Sequence, residues 1–231
     1  MVAVGQLVNE IDGLSASVVE TGATLDNIKR MSRGQVDLGL VTTNTVQHAA
    51  TGTNAFEGDA QDLTLLWVYV NAPQNVIVRA DADLTDLVGL NGVRFNSGIR
   101  GSSTEATTEA VFAALGLSAD YARGSTTDVV GAIKDNRMAG YMKSGAGNKL
   151  DGSTMDIATS TDITVLGLTD AQTDMLAADK PDTSVIDIPG GAADGIPAYR
   201  TWSFGVGVAR PRPKIKEEGV HEPRGYSECR P

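Results

Sequence analysis

The sequence contains one cysteine, Cys229, so no intrachain disulfide can form and the redox compartment stays open. Histidine is almost as scarce. His48 and His221 are the only two, and a zinc site would have to recruit Asp or Glu ligands for which no spacing exists. Basic charge is short too: 19 Lys and Arg face 29 Asp and Glu, a net charge of −10 and a pI near 4.6. That balance excludes a nucleic-acid partner, which needs a basic surface, and disfavours an anionic membrane face. No apolar run reaches transmembrane length, and the first residues lack the basic n-region and long apolar core of a signal peptide. There is no Walker A pattern and no G-x-G-x-x-G opening a helix after a strand. A Ser–His–Asp triad would have to use His48, which sits beside Ala49 and Ala50 on an expected helix and reads more simply as a partly buried or surface residue. With no nucleophile–base pair to nominate, no catalytic residue, metal or cofactor is assigned and an enzyme is disfavoured. Asp81 and Asp83 read as a solvated loop rather than a metal site. Trp67 and Trp202 read as core or hinge packing.

What is present is glycine, 26 residues in 231, with few aromatics. The length suffices for one large domain or two lobes. The chain is organised around the stretch from Phe95 to Glu105, which reads as strand end, glycine loop and helix start. Gly98 and Gly101 let the backbone turn. Ser102, Ser103 and Thr104 are N-cap residue types, followed by a helix over Thr104–Leu115 with Ala106, Ala110, Val111, Ala114 and Leu115 at helical spacing. A helix N-terminus has unpaired N–H groups and suits an anion. Arg100 beside it either adds a bidentate carboxylate contact or is simply solvated.

Three further polar loops follow the same logic. After an amphipathic helix at Val2–Ile11, with Val4, Leu7, Val8 and Ile11 on one face, a strand at Leu14–Glu20 leads to Thr21-Gly22-Ala23-Thr24 and a helix over Leu25–Ser32. A strand at Val36–Val41 leads to Thr42-Thr43-Asn44 and a helix over Thr45–Ala50. A strand at Ala139–Met142 ends in the loop Lys143-Ser144-Gly145-Ala146-Gly147-Asn148. Ligands in open α/β sheets bind at such strand ends. Between them, Leu63–Val70 and Val76–Val78 read as strands broken by Asn71-Ala72-Pro73, and Thr85–Leu90 as a short helix. Later elements are helices at Thr126–Asn136 and Asp170–Ala178 and strands at Ile163–Leu168, Val185–Ile188 and Trp202–Val208. The alternation predicts an α/β protein with a mainly parallel sheet, in two lobes. From Arg210 the composition changes. Residues 210–231 hold 6 basic and 4 acidic residues, against 13 and 25 in the rest, with four prolines. That tail is expected to be disordered or foreign to the fold.

The ordered loops resemble one family. Thr21-Gly22-Ala23-Thr24-Leu25-Asp26-Asn27 is similar to its T-G-G-S-x-E-N segment, and Gly34-Gln35-Val36-Asp37-Leu38-Gly39-Leu40-Val41 to its G-x-x-D-L-G-L-V strand. Val78-Arg79-Ala80-Asp81 with Asp86-Leu87-Val88-Gly89 resembles V-V-R-A-D…D-L-x-G, and Gly98-Ile99-Arg100-Gly101-Ser102-Ser103-Thr104-Glu105 resembles G-x-P-G-S-G-T-E. The family is the TAXI type of solute-binding protein, which serves TRAP transporters, and the match covers about residues 1–208. The resemblance implies a type II periplasmic-binding-protein fold. In that fold two α/β lobes, here residues 1–82 with 184–209 and residues 83–183, close on a small solute about hinges near Arg79–Asp83 and Val185–Pro189. It implies no catalysis and no cofactor, a monomer outside the cytoplasm, a small organic anion or amino acid such as glutamate as ligand, and a membrane permease as partner. Its ligand loops would be Thr21–Thr24, Thr42–Asn44, Gly98–Thr104 and Ser144–Asn148. The family carries an upstream signal peptide, a first strand and a further loop, and later core helices, so the chain is expected to be truncated at both ends, with low stability and weak binding. Arg100 stands where the family has proline, and Ser103 where it has glycine. An enzyme or ligand-sensing domain on the same fold, or a fragment without activity, are the other readings.

Overall fold

One long strand joins the two halves of the protein. In the computed structural model, which describes residues 2–180 and 182–212, β2 runs unbroken from Leu63 to Arg79. Its first part, Leu63–Pro73, pairs antiparallel with β8 (Tyr199–Pro211). Its second part pairs antiparallel with β5 (Gly140–Ser144) through Gln74–Val78 and with β6 (Ile163–Leu166) through Val76–Arg79. The expected break at Asn71–Pro73 does not occur. Proline has no N–H to give a ladder and is tolerated in strands where pairing changes. Pro73 is the last β2 residue paired with β8, and its carbonyl accepts from Gly145 N.

The remaining strands are β1 (Gly39–Thr42) on the far edge of β8, β7 (Ser184–Ile188) paired with Tyr199–Ser203 of β8, and β3 (Arg94–Asn96) between β5 and β4 (Asp120–Tyr121). Only β3–β4 and β3–β5 are parallel, and the five other described pairings are antiparallel. The expectation of a mainly parallel sheet is therefore corrected. Helices do alternate with strands, but β2 and β8 are long enough to receive antiparallel neighbours along their whole length.

Seven helices complete the described residues: α1 (Val2–Asn9), α2 (Thr24–Ser32), α3 (Thr43–Thr51), α4 (Ser103–Ala114), α5 (Thr126–Lys134), α6 (Gly152–Ala158) and α7 (Asp170–Asp179). Three cores hold α2 to α7. Ile28 and Met31 of α2 meet Val41, Ala49 and Ala209 in the amino-terminal core. Phe95, Phe112, Leu176 and Trp202 anchor the second, with Phe95 and Phe112 stacked at 5.9 Å and Trp202 edge-on to Phe112 at 6.3 Å. The third joins Ile77, Val129, Ile133, Tyr141 and Ile157 to Ile188 and Ile196. Residues 184–203 thus pack on the second and third cores rather than the first.

Several local expectations fail for identifiable reasons. Leu14–Glu20 is not a strand. It is held against α1 by Asn9, whose amide bonds both the N–H and the C=O of Ala16, which leaves Val18 and Val19 half exposed. The apolar face of α1 is not buried, and Leu7 is 62% exposed. Thr85–Leu90 reduces to one 3₁₀ turn at Val88–Leu90. The strand expected at Val36–Val41 spans Gly39–Thr42. Trp202 is core, as expected, whereas Trp67 is 43% exposed on the outer edge of β2. Arg210–Arg212, assigned to the tail, continue the fold: β8 reaches Pro211, and Arg212 N donates to the carbonyl of Asp62. Residues 213–231, with His221 and Cys229, lie outside the described residues.

Candidate functional site

The chain leaves β3, forms α4, returns as β4 on one side of β3, then forms α5 and returns as β5 on the other side. β3 is therefore a topological switch point, where a crevice opens beyond the carboxyl ends of the strands. The loop that follows β3 is the stretch singled out from sequence.

Its geometry is fixed from several sides. Gly98 has φ 137°, and a Cβ there would stand 2.6 Å from Glu105 N, so both the conformation and the approach of α4 demand glycine. Asn96 ties the loop to its neighbours, donating to Ala122 O at 2.8 Å and accepting from Gly98 N at 3.1 Å. Ser102 caps α4 by accepting from Glu105 N, and Glu105 accepts in return from Gly101 N. Arg123 braces the back, donating to Ser97 at 2.7 Å and pairing with Glu109 at 2.6 Å and Glu105 at 3.0 Å. The hydrogen bond to Glu109 and the nearby acidic charges raise the already high pKa of Arg123.

Beyond this loop lies a cavity of about 140 Å³. Ser102 at the N-cap of α4 and Thr104 in its first turn line it, with Tyr141, Lys143 and Ser144 from β5 and Thr126 from α5. Thr104 and Ser144 hydroxyls lie 2.8 Å apart, and Ser144 bonds Gln74, at the point where β2 changes partners. Burial pushes the Tyr141 hydroxyl up to about 12. The phenol therefore stays protonated and bonds Ser153 and Thr154. The walls offer hydroxyls and one cation, the equipment for holding a small polar solute by hydrogen bonds.

Of the residues named from sequence, Gly98, Ile99, Ser102, Thr104 and Ser144 line this cavity. The others serve different ends. Thr43 and Asn44 are not loop residues but the first turn of α3. Thr42, Asn44 and Ser103 build a buried clasp between α3 and α4. Thr42 donates to Asn44 Oδ1 at 2.7 Å and lies 2.8 Å from Ser103 Oγ, Ser103 lies 2.7 Å from Thr45 Oγ1, and Asn44 donates to Thr107 at 2.7 Å. Thr43 accepts from Gly205 N. Thr21, Gly22, Ala23 and Thr24 line neither this cavity nor the next. Thr21 bonds Asn27 and Gly22 N bonds Asp26, both on α2. Arg100 is exposed and lines neither cavity. Gly101 serves the cap through its N–H, and Gly145 is buried where a Cβ would meet Lys149 O at 2.7 Å.

Sequence reasoning missed Lys143 and Thr126 as lining residues. Lys143 had been placed in a loop, although it is the penultimate residue of β5. Thr126 directly follows Ser125, the N-cap of a capping box closed by Asp128, a readable helix start. A second cavity of about 120 Å³ lies beside the clasp. His48 of α3 and Asp182 meet there at 2.9 Å, and that hydrogen bond holds the Asp182 carboxyl below the usual range. Among the described residues no cluster of three or more His, Cys, Asp or Glu could hold a metal ion, and no helix is long and apolar enough to cross a membrane.

A model of the NMT1-like family matches residues 1–221. The chain belongs to this family. Among solved structures, this NMT1-like chain is similar to the GluR0 ligand-binding core in complex with L-glutamate, with a TM-score of 0.55 and 10% identity over 91% of this chain and 74% of that one. It is similar to arginine-bound truncated ArgBP from T. maritima, with a TM-score of 0.51 and 14% identity over 91% and 76%. The periplasmic aliphatic sulphonate binding protein SsuA from Escherichia coli also matches, at 0.48 and 17% over 71% of this chain, which spans 53% of that protein. At these identities the likeness is one of fold: a mixed α/β fold of the kind that forms periplasmic-binding-protein lobes.

Proposed function

We propose that this chain is a solute receptor of the TAXI type that works outside the cytoplasm as a monomer, binds a small organic anion or amino acid such as glutamate or a dicarboxylate, and hands it to a TRAP transporter permease. The observation that carries this reading is the cavity at the β3 switch point. Ser102, Thr104, Thr126, Ser144 and Lys143 all line it. Membership of the NMT1-like family and the fold shared with amino-acid-binding proteins support it. The cavity is smaller than the roughly 300–1,000 Å³ of sites for drug-sized ligands, in keeping with a solute of few atoms.

The lobes in this reading are bounded where β2 and β8 change partners, at Pro73/Gln74 and Ser203/Phe204. In this reading the boundaries lie before the hinge expected near residues 79–83 and after the one expected near residues 185–189. Lobe I comprises the segment to Pro73 with the end of β8, and lobe II the rest. The clasp between Asn44, Thr42, Ser103 and Thr107 then joins one lobe to the other. Calorimetry of the 231-residue chain with L-glutamate, succinate and L-arginine, alongside mass spectrometry of protein purified without added solute, tests the receptor reading. Stoichiometric binding without conversion is expected. No binding of any of these and no co-purified solute, or turnover of a bound one, refutes it.

A further inference from the structure

We propose that Lys143 is the residue that reads the second, distal carboxylate of a bound dicarboxylate solute, an assignment that rests on the receptor reading above. Lys143 is the one charged residue among those lining the switch-point cavity. It occupies β5 on the face of Tyr141, opposite that of Ser144, because side chains alternate along a strand. That face brings its ammonium toward α5 and α6. Nζ lies 3.4 Å from Thr126 Oγ1 and 3.8 Å from Asp151 Oδ2.

An ammonium has three donors, and both of these contacts are long. Asp151 cannot come closer without giving up its own partners. It caps α6, accepting from Ser153 N and Thr154 N at 3.1 and 3.2 Å and from both hydroxyls at 2.6 Å. Four donors thus share that carboxylate, and against the cost of burial its pKa is lowered by the Ser153 and Thr154 hydroxyls, by Ser153 N and by the charge of Lys143. Lys143 keeps donor capacity in hand at a side chain only 25% exposed.

The rest of the cavity suits the same ligand chemistry. Ser102, the N-cap of α4, and Thr126, the first residue of α5, both line it, so the positive ends of two helices open beside the lysine. Val129 and Met142 supply apolar wall for a short carbon chain. Arg100, the cation singled out from sequence, is exposed and lies outside the lining. The ligand class is therefore a small dicarboxylate with a short aliphatic chain, one carboxylate facing Lys143.

The test is calorimetry on the full chain with L-glutamate, succinate and L-glutamine, comparing the native protein with Lys143→Met, Lys143→Gln and Lys143→Arg. Far-ultraviolet circular dichroism and urea midpoints confirm that each variant is folded. The native protein should prefer at least one of the two diacids over glutamine. Lys143→Met and Lys143→Gln should each weaken that diacid by about tenfold to a hundredfold, the worth of a charge-assisted hydrogen bond. Glutamine affinity should stay within about threefold, the salt dependence of diacid binding should flatten, and Lys143→Arg should restore most of the affinity. If folded Lys143→Met and Lys143→Gln bind the diacid within about threefold of native, the assignment is overturned while the receptor reading stands. Equal binding of glutamine and both diacids by native protein also overturns it. If native protein binds none of the three probes, the receptor reading for these solutes fails and the assignment falls with it.

Discussion

Asn44 offers the sharpest test of how the two halves are held. It is 2% exposed and makes three side-chain hydrogen bonds. Oδ1 accepts from the Thr42 hydroxyl at 2.7 Å and from Thr45 N at 2.9 Å, and Nδ2 donates to Thr107 at 2.7 Å. Because Oδ1 can only accept, Thr42 must donate to it. Thr42 Oγ1 is then left to accept from Ser103 or Thr45, at 2.8 and 2.9 Å, and those two hydroxyls lie 2.7 Å apart, so donation through the clasp ends on Asn44 Oδ1. Asn44→Ala removes the end of that chain. The Thr42 and Thr107 hydroxyls can rotate to other partners, so those two bonds cost about 0.5–1.5 kcal/mol each. Thr45 N–H cannot rotate and is left buried without its partner, which costs about 1–3 kcal/mol. A loss of roughly 2–6 kcal/mol follows, a large share of the roughly 5–15 kcal/mol that holds a domain together. Urea unfolding at pH 7 is the assay. With m of about 1–3 kcal/mol per molar, the midpoint should fall by about 1 M or more. Thr51→Ala, at an exposed hydroxyl that bonds only the carbonyls of Gln47 and His48 and the neighbouring Thr53, should shift stability by less than about 0.5 kcal/mol. A double cycle with Thr107→Val should show coupling. If Asn44→Ala behaves like Thr51→Ala, the clasp contributes nothing and the donation scheme is wrong.

Three other outcomes are expected. Gly98→Ala should destabilise by at least about 2 kcal/mol, because φ 137° and a 2.6 Å clash with Glu105 N combine. Gly101→Ala, at φ 77° with open space around its Cβ, should cost only about 1–2 kcal/mol. Melting curves of the two variants test that order. Asp182 has a carboxyl pKa lowered chiefly by the hydrogen bond from His48. Its contribution is present above the unfolded value near 4 and is lost as pH falls through the lowered one. The stability gap between native protein and Asp182→Asn, read from urea midpoints, should therefore be largest above about pH 5 and shrink in stronger acid. A gap that grows on acidification contradicts the pairing. Phe112→Ala, which removes the ring between Phe95 and Trp202, should cost about 3–5 kcal/mol in the same assay.

Sequence alone determined the local starts and stops. Ser102 before Glu105, Ser125 before Asp128 and Thr169 before Gln172 are caps whose donors and acceptors lie within three residues, and all three helices start as those residues dictate. The helical spacing of Val129, Val130 and Ile133 told which face of α5 is buried, and Gly98 marked the loop after β3. The α/β class and its likeness to binding-protein lobes were legible for the same reason: each rests on short-range pattern. The tertiary structure alone decided what depends on distant partners. Pro73 looks like a strand breaker until β8 and β5 are seen taking over from one another there. Leu14–Glu20 has strand composition, but Asn9 holds its backbone against α1. Ser103 and Thr104 are adjacent and chemically alike, yet one helical step turns them about 100° apart. Ser103 enters the buried clasp while Thr104 faces the cavity. Lys143 was hidden in a run that reads as loop, because the pairing of Gln74 and Asn75 with Ser144 and Lys143 is what extends β5 that far.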